Sequence, residues 1–149
     1  MTKEKCVIRA ARLSDADRLD ELLLLLIDDE RRKYDASIGN IALENFYQSK
    51  MIRGEGQIFV GELNEKIVGY IYILLEDQTH AKIDALYVLE EARNQHIATS
   101  LLVKAMNFLK EKGVLYIDIS VLKENEIAKK LYSSFGFKSF KEILRLELK

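Results

Sequence analysis

From Gln57 to Leu89 the chain runs three stretches rich in β-branched and aromatic residues, parted only by short polar turns that leave no room for a helix. Gln57 to Leu63 and Ile67 to Leu75 flank the turn Asn64-Glu65, and Ala81 to Leu89 follows at once, so neighbouring strands here run antiparallel. What comes next demands the opposite. Ile97, Leu101, Leu102, Ala105, Phe108 and Leu109 recur at a helical period, Gly113 stops them, and Val114 to Leu122 reads as a buried strand. A strand-helix-strand crossover wants a parallel neighbour. Only a mixed sheet accommodates both halves.

The remaining elements fit around that sheet. Cys6 to Ala11 reads as a short strand, and Ser14-Asp15-Ala16-Asp17 offers an N-cap hydroxyl with an acid three residues on. The helix it opens has Leu19, Leu22, Leu23, Leu26 and Ile27 on one face, and the charged run Asp28 to Lys33 ends it in solvent. Ile41, Phe46 and Tyr47 suggest a weaker second helix, stopped by Gly54 and Gly56. After Leu122, the stripe Ile127, Ala128, Leu131, Tyr132, Phe135 reads as a helix ending at Gly136, and Ile143 to Leu148 alternates as a last strand. The expected order is β-α-α-β-β-β-α-β-α-β, a mixed sheet with helices on both faces.

Composition limits the ligands to consider. With 149 residues, 48% hydrophobic and 32% charged, a single domain spanning 1–149 is expected. No apolar run approaches the ~18 residues of a membrane span, and no secretory leader is visible. A lone cysteine, Cys6, agrees with a reducing compartment, so a cytoplasmic location is the expectation. A net charge of −1 gives no footprint for a nucleic-acid backbone. His80 and His96 stand without a Cys or carboxylate cluster at ligand spacing, so no metal is expected.

Two segments carry chemistry. The strand Ala81 to Leu89 passes through an acidic turn into Arg93-Asn94-Gln95-His96-Ile97-Ala98, which opens a helix. The first turn of a helix has unpartnered amides and a partial positive charge, which suits a phosphate. Arg93 would add a charged donor and the small Ala98 would permit close approach. An ordinary crossover meets the same pattern. The second segment is Asn125 to Phe137. Asn125 sits where an N-cap amide belongs, and Tyr132, seven residues on, shares its face. The pair can line one groove, or Tyr132 can be a core tyrosine.

Together the segments resemble the GNAT superfamily of N-acetyltransferases, over nearly the whole chain. The family's Arg/Gln-x-x-Gly-x-Gly/Ala motif after a strand ending in valine is similar to Val88 and Arg93 to Ala98, with His96 where glycine is usual. Its second motif is met by Asn125, Ala128, Leu131, Tyr132, Gly136 and Phe137. The resemblance implies a mostly antiparallel central sheet of six or seven strands with about four helices. It implies acetyl coenzyme A as co-substrate, with its pyrophosphate on the amides of Arg93, Asn94, Gln95, His96, Ile97, Ala98 and Thr99. Its pantetheine arm would lie along Leu86, Tyr87 and Val88, with Asn125 nearby. His96 is expected to keep helical φ, since a left-handed conformation would be strained.

The chemistry so implied is attack of a neutral amine on a thioester carbonyl. An alkylammonium is neutral in only about one molecule in a few thousand at pH 7, so a base is needed. Asp84, placed by strand alternation with Leu86 and Val88, is the candidate, directly or through water; an ion pair with Lys82 is the structural alternative. Tyr132, matched to the family's tyrosine, is the expected acid for the leaving thiolate. A backbone amide near Tyr87 and Val88 would serve the oxyanion. Lys123, Lys129 and Lys130 either approach the nucleotide phosphates or form a solvated face. The acids Asp28, Asp29, Glu30, Glu76 and Asp77, with Tyr34, suit a cationic amine acceptor or simply solvent. A non-catalytic acyl coenzyme A-binding module is the alternative function. The alternating strand Ile143 to Leu148 would be a ready edge for a homodimer.

Overall fold

The computed structural model describes residues 5–148. Five strands form one sheet: β1 (Val7–Ala10), β2 (Gln57–Leu63), β3 (Lys66–Leu75), β4 (His80–Val88) and β5 (Tyr116–Ile119), in that spatial order. All neighbours are antiparallel except β4 and β5. The β2–β3 hairpin closes on Asn64 and Glu65, both at positive φ (54° and 62°), a pairing whose twist matches that of the flanking strands. Four helices complete the order: α1 (Ala16–Lys33), α2 (Phe46–Ile52), α3 (Ile97–Glu111) and α4 (Glu126–Ser134). Among the described residues no helix is long and apolar enough to cross a membrane.

The sheet separates two apolar clusters. On one face α1 and α2 pack Leu19, Leu22 and Tyr47 against Val60, Tyr70, Tyr72, Ala85 and Tyr87. Tyr47 and Tyr70 share a hydroxyl hydrogen bond at 2.8 Å, which satisfies both polar ends inside that layer. On the other face α3 packs Leu101, Leu102, Ala105 and Leu109 against Phe59, Ile71, Ile73 and Ile83, with Leu131 of α4 and Phe135 just after it at the margin. Ser14 makes no cap; a 3-10 turn over Leu13–Asp15 precedes α1 instead. There Asp15 accepts from the Arg12 amide at 2.7 Å and pairs with Arg9 at 2.8 Å.

Three expectations fail in the C-terminal third. The described residues form five strands, fewer than the expected six or seven. The strand read over Val114 to Leu122 is confined to Tyr116–Ile119 and none of its residues is buried, because it is the edge of the sheet formed by the described residues. Ile143 to Leu148 forms no strand, and its residues are exposed.

Candidate active site

The site begins where β4 and β5 part. The two strands pair only from His80 to Ile83 and from Tyr116 to Ile119, while β4 continues to Val88. The parting coincides with a bulge. Tyr72 faces Ala85 and Ile73 faces Ile83, so Asp84 has no partner on β3. An extra residue resets strand alternation. Ala81 and Ile83 therefore join the α3 cluster, whereas Ala85 and Tyr87 join the α1 cluster. Asp84 is thereby carried to the α1 side, where its charge adds to the larger effect of burial in raising the hydroxyl pKa values of Tyr47, Tyr70 and Tyr72, and not to the side of Leu86 and Val88 as simple alternation predicted.

The gap is a cleft of about 100 Å³ lined by Leu26, Glu30, Asp84, Leu86, Asn125 and Tyr132, with the chain after β5 as its far wall. It brings together residues from opposite faces of the sheet. Tyr132 packs on the α3 cluster, yet the Glu30 charge from α1 reaches its hydroxyl. Burial, with Glu30 second, pushes that hydroxyl up to about 12, so the phenol is protonated at neutral pH. It has no hydrogen-bond partner among the described residues. Asn125 caps α4 as expected, its Oδ1 accepting from the Ala128 amide at 3.1 Å, and it also accepts from the Tyr34 hydroxyl at 3.3 Å. Asp84 is exposed at the cleft and lies 3.7 Å from Lys82, so the predicted ion pair is present alongside any catalytic role.

Glu30 is the residue that sequence reasoning undervalued. It stood as one acid of a charged run, but its neighbours are occupied: Asp28 with Arg31 and Arg32, Asp29 with Arg32, Lys33 and Arg93, Asp35 with Arg145. Glu30 alone of these has no cationic partner among the described residues, and it is half-buried in the cleft. Burial, then the charge of Asp35, raises its carboxyl above the ordinary range. The signal in the sequence was only its i+4 spacing from Leu26.

Past Val88 the chain builds the anion cradle. Among the described residues, the backbone amides of Asn94, Gln95, His96, Ile97, Ala98 and Thr99 have no acceptor. Asn94 and His96 are both left-handed, at φ 65° and 60°, and such turns fold successive N–H groups into a concavity for an anion. Added to the N-terminus of α3, this fits a pyrophosphate. The helical φ expected for His96 is therefore wrong. The residue takes the conformation that glycine holds cheaply, because the amides around it must converge. His96→Gly is expected to raise unfolding stability in urea by roughly half a kcal/mol. The relieved steric term of ~1 kcal/mol is offset in part by glycine's freedom in the unfolded chain. A loss of stability would show that the histidine side chain contributes.

Arg93 is placed differently from a phosphate donor. Its Nε donates to the Val88 carbonyl at 2.9 Å, its Nη2 to Asp29 at 3.1 Å, and its guanidinium lies over the Tyr87 ring. It braces the turn against α1. Along β4, Leu89 donates its amide to Val68. Alternation in an antiparallel ladder then commits the Tyr87 amide to β3 and leaves those of Leu86 and Val88 facing the cleft edge. Of the two candidate oxyanion donors, the Tyr87 amide is therefore taken by β3 and the Val88 amide is not. Lys129 is spent locally on Glu126 and the Lys123 carbonyl. His80 lies outside the cleft, bonded to Asp77 and Thr79 and stacked on Tyr116.

Comparison with known proteins agrees with this geometry. The model of the acetyltransferase (GNAT) family matches residues 20–137. An uncharacterized N-acetyltransferase of Archaeoglobus fulgidus is 24% identical over 130 residues, 83% of this chain and 88% of that protein. One from Methanocaldococcus jannaschii is 29% identical over 106 residues, covering 67% of this chain and 46% of that longer protein. Among solved structures, a mutant of the BH1408 protein from Bacillus halodurans superposes with a TM-score of 0.83 at 22% identity, covering 96% and 99% of the two chains. The structure of AAC(6')-Iy in complex with a bisubstrate analog superposes at 0.74 with 14% identity, covering 97% and 99%. A family match over most of the length, on a sheet that parts where the amides and acids converge, is decisive: the chain belongs to the GNAT family of acetyltransferases.

Proposed function

We propose that this protein moves an acetyl group from acetyl coenzyme A to a primary amine that carries positive charge in solution. The observation that carries the reading is the cleft itself, where a protonated phenol and an unpaired carboxylate meet beside an unpaired strand edge that leads to an anion cradle. Acetyl coenzyme A supplies the activated thioester. The amides from Asn94 to Thr99 hold its pyrophosphate, and those of Leu86 and Val88 bond the pantetheine arm and the carbonyl oxygen as charge grows on it. Glu30 draws the ammonium into the cleft. Asp84, at the mouth, relays the proton toward solvent. The Tyr132 hydroxyl donates to the departing sulfur.

Thiol release, followed with acetyl coenzyme A and a panel of polyamines, amino acids, aminoglycosides and peptides, tests this directly. Release that depends on a cationic amine is the expected result; coenzyme A binding with no release from any acceptor would favour the non-catalytic binding module. Glu30→Gln should raise KM for the amine about tenfold, the worth of one charge-assisted contact, and leave coenzyme A affinity unchanged. Because only the ionised carboxylate holds an ammonium, KM of the unmodified protein should rise as pH falls through the raised Glu30 titration, and the variant should lack that rise. An identical pH profile in both would remove Glu30 from acceptor binding.

A further inference from the structure

The fully buried residues of α1 are Ala16, Leu19 and Leu22, all in its first half. That half is also pinned by polar groups, since Arg18 donates to the Ile67 carbonyl at 3.0 Å and Asp20 accepts from the Tyr47 amide at 3.0 Å. From Leu22 the helix runs on for about 12 Å to Glu30 with no further buried side chain. The chain beyond it, from 35 to 45, forms neither helix nor strand that could hold the end. Over that length a tilt of about 5° displaces the tip by about 1 Å, enough to misplace a reacting amine.

Two side-chain hydrogen bonds tie that tip to the cofactor side, one from each side of Glu30 in the chain. The Tyr34 hydroxyl reaches Asn125 at 3.3 Å, long for a hydroxyl donor and made to an oxygen that already caps α4. Asp29 makes the stronger tie. Its Oδ1 accepts from Arg32 at 2.7 Å, but Arg32 belongs to the same helix and cannot locate it. Its Oδ2 accepts from Arg93 Nη2 at 3.1 Å, and Arg93 Nε is itself fixed on the Val88 carbonyl at 2.9 Å, at the end of β4. This bond is charge-assisted and its Asp29 side chain is only 16% exposed, so it outweighs the neutral one.

We propose that Asp29 and Arg93 are positioning residues for the amine: their ion pair fixes the tip of α1 against the Val88 end of β4 and so sets where the Glu30 carboxylate stands relative to the thioester. Neither side chain touches the reacting atoms. The inference rests on the reading of Glu30 as the group that draws the ammonium in. Arg93 stands in the segment that holds the pyrophosphate, yet it acts toward the acceptor, because its guanidinium is occupied by Val88, Asp29 and the face of Tyr87.

The test compares Asp29→Asn, Arg93→Gln and Glu30→Gln, singly and combined, in KM for the panel amine with the fastest thiol release, at saturating acetyl coenzyme A. Each of the first two should raise KM about fivefold, part of the tenfold lost with the Glu30 charge, and neither should raise it further in the Glu30→Gln background. Arg93→Gln decides the sign. It removes a cation and leaves Asp29 negative, so a simple electrostatic role predicts a lower KM, whereas a displaced Glu30 predicts a higher one. Hydrogen exchange gives a reading that needs no turnover. The Tyr34 and Asp35 amides, both bonded to the Glu30 carbonyl, should exchange several-fold faster in Asp29→Asn while β3 keeps its protection. A lower KM for Arg93→Gln, losses that add to those of Glu30→Gln, or unchanged exchange at the tip would each overturn the proposal. If Glu30→Gln alone raises KM, only the proposal falls; if Glu30→Gln leaves KM unchanged, the acceptor reading falls and the proposal with it. Should Asp29→Asn lose the protection of β3, Arg93→Gln, whose side chain is the more exposed of the two, carries both measurements.

Discussion

Tyr132→Phe should lower turnover by about two orders of magnitude and leave coenzyme A affinity within about twofold. General acids of this kind contribute roughly 10²- to 10⁴-fold. The expectation is set toward the low end because a thiolate is a good leaving group even when bare. The substitution removes one oxygen that has no hydrogen-bond partner among the described residues, while the ring keeps its packing on the α3 cluster and its edge contact with Phe137, 6.0 Å between centroids. Stability should therefore hardly change, and any loss of rate belongs to chemistry. Because the phenol is held at about 12, protonation of Tyr132 cannot produce a fall in rate near neutral pH. The measurement is single-turnover acetylation against pH, with coenzyme A affinity taken by calorimetry. Equal rates for the two proteins would remove the hydroxyl from the mechanism.

Thr99→Glu should cost coenzyme A at least tenfold in affinity while the protein without it gains stability. Thr99 is the third residue of α3, half-buried beside the amides of the cradle. A glutamate at that position of a helix is favourable in isolation, because it faces the partial positive charge and the unpaired amides of the first turn, worth about 0.3–1 kcal/mol. The same carboxylate occupies the space and field that a pyrophosphate needs. Thermal unfolding with and without coenzyme A separates the two effects. The midpoint without ligand should rise by a degree or more, and the ligand-induced rise seen in the parent should largely vanish. A retained ligand-induced rise would show that the phosphates lie elsewhere.

The central strands and α3 were legible because alternation and helical period are strong where both sides of an element are packed. The hairpin turn at Asn64-Glu65 and the cap at Asn125 followed from side-chain chemistry alone. What could not be read depends on neighbours. Ile143 to Leu148 alternates like a strand, but alternation says how a segment would lie in a sheet, not whether it pairs with one. The bulge at Asp84 has no residue signature here, so the face of that carboxylate was misassigned by one step of a two-residue period. His96 was assigned helical φ on local cost, yet the local cost is outweighed by the need to turn adjacent amides toward one point. Glu30 was indistinguishable from Asp28 and Asp29 until each acid's partner was known.

The parting of β4 and β5 also sets the two apolar layers of the sheet on opposite sides of the cleft. In the proposed mechanism the groups that would hold coenzyme A and protonate its sulfur hang from α3 and α4, while Glu30, which would meet the amine, hangs from α1 with Leu26 beside it in the cleft lining. Substitutions at Glu30 or Leu26 would then change which amine enters while leaving the Asp29–Arg93 contact that braces the cradle in place. A lineage built this way can acquire new acceptors one helix face at a time while its donor chemistry stays fixed.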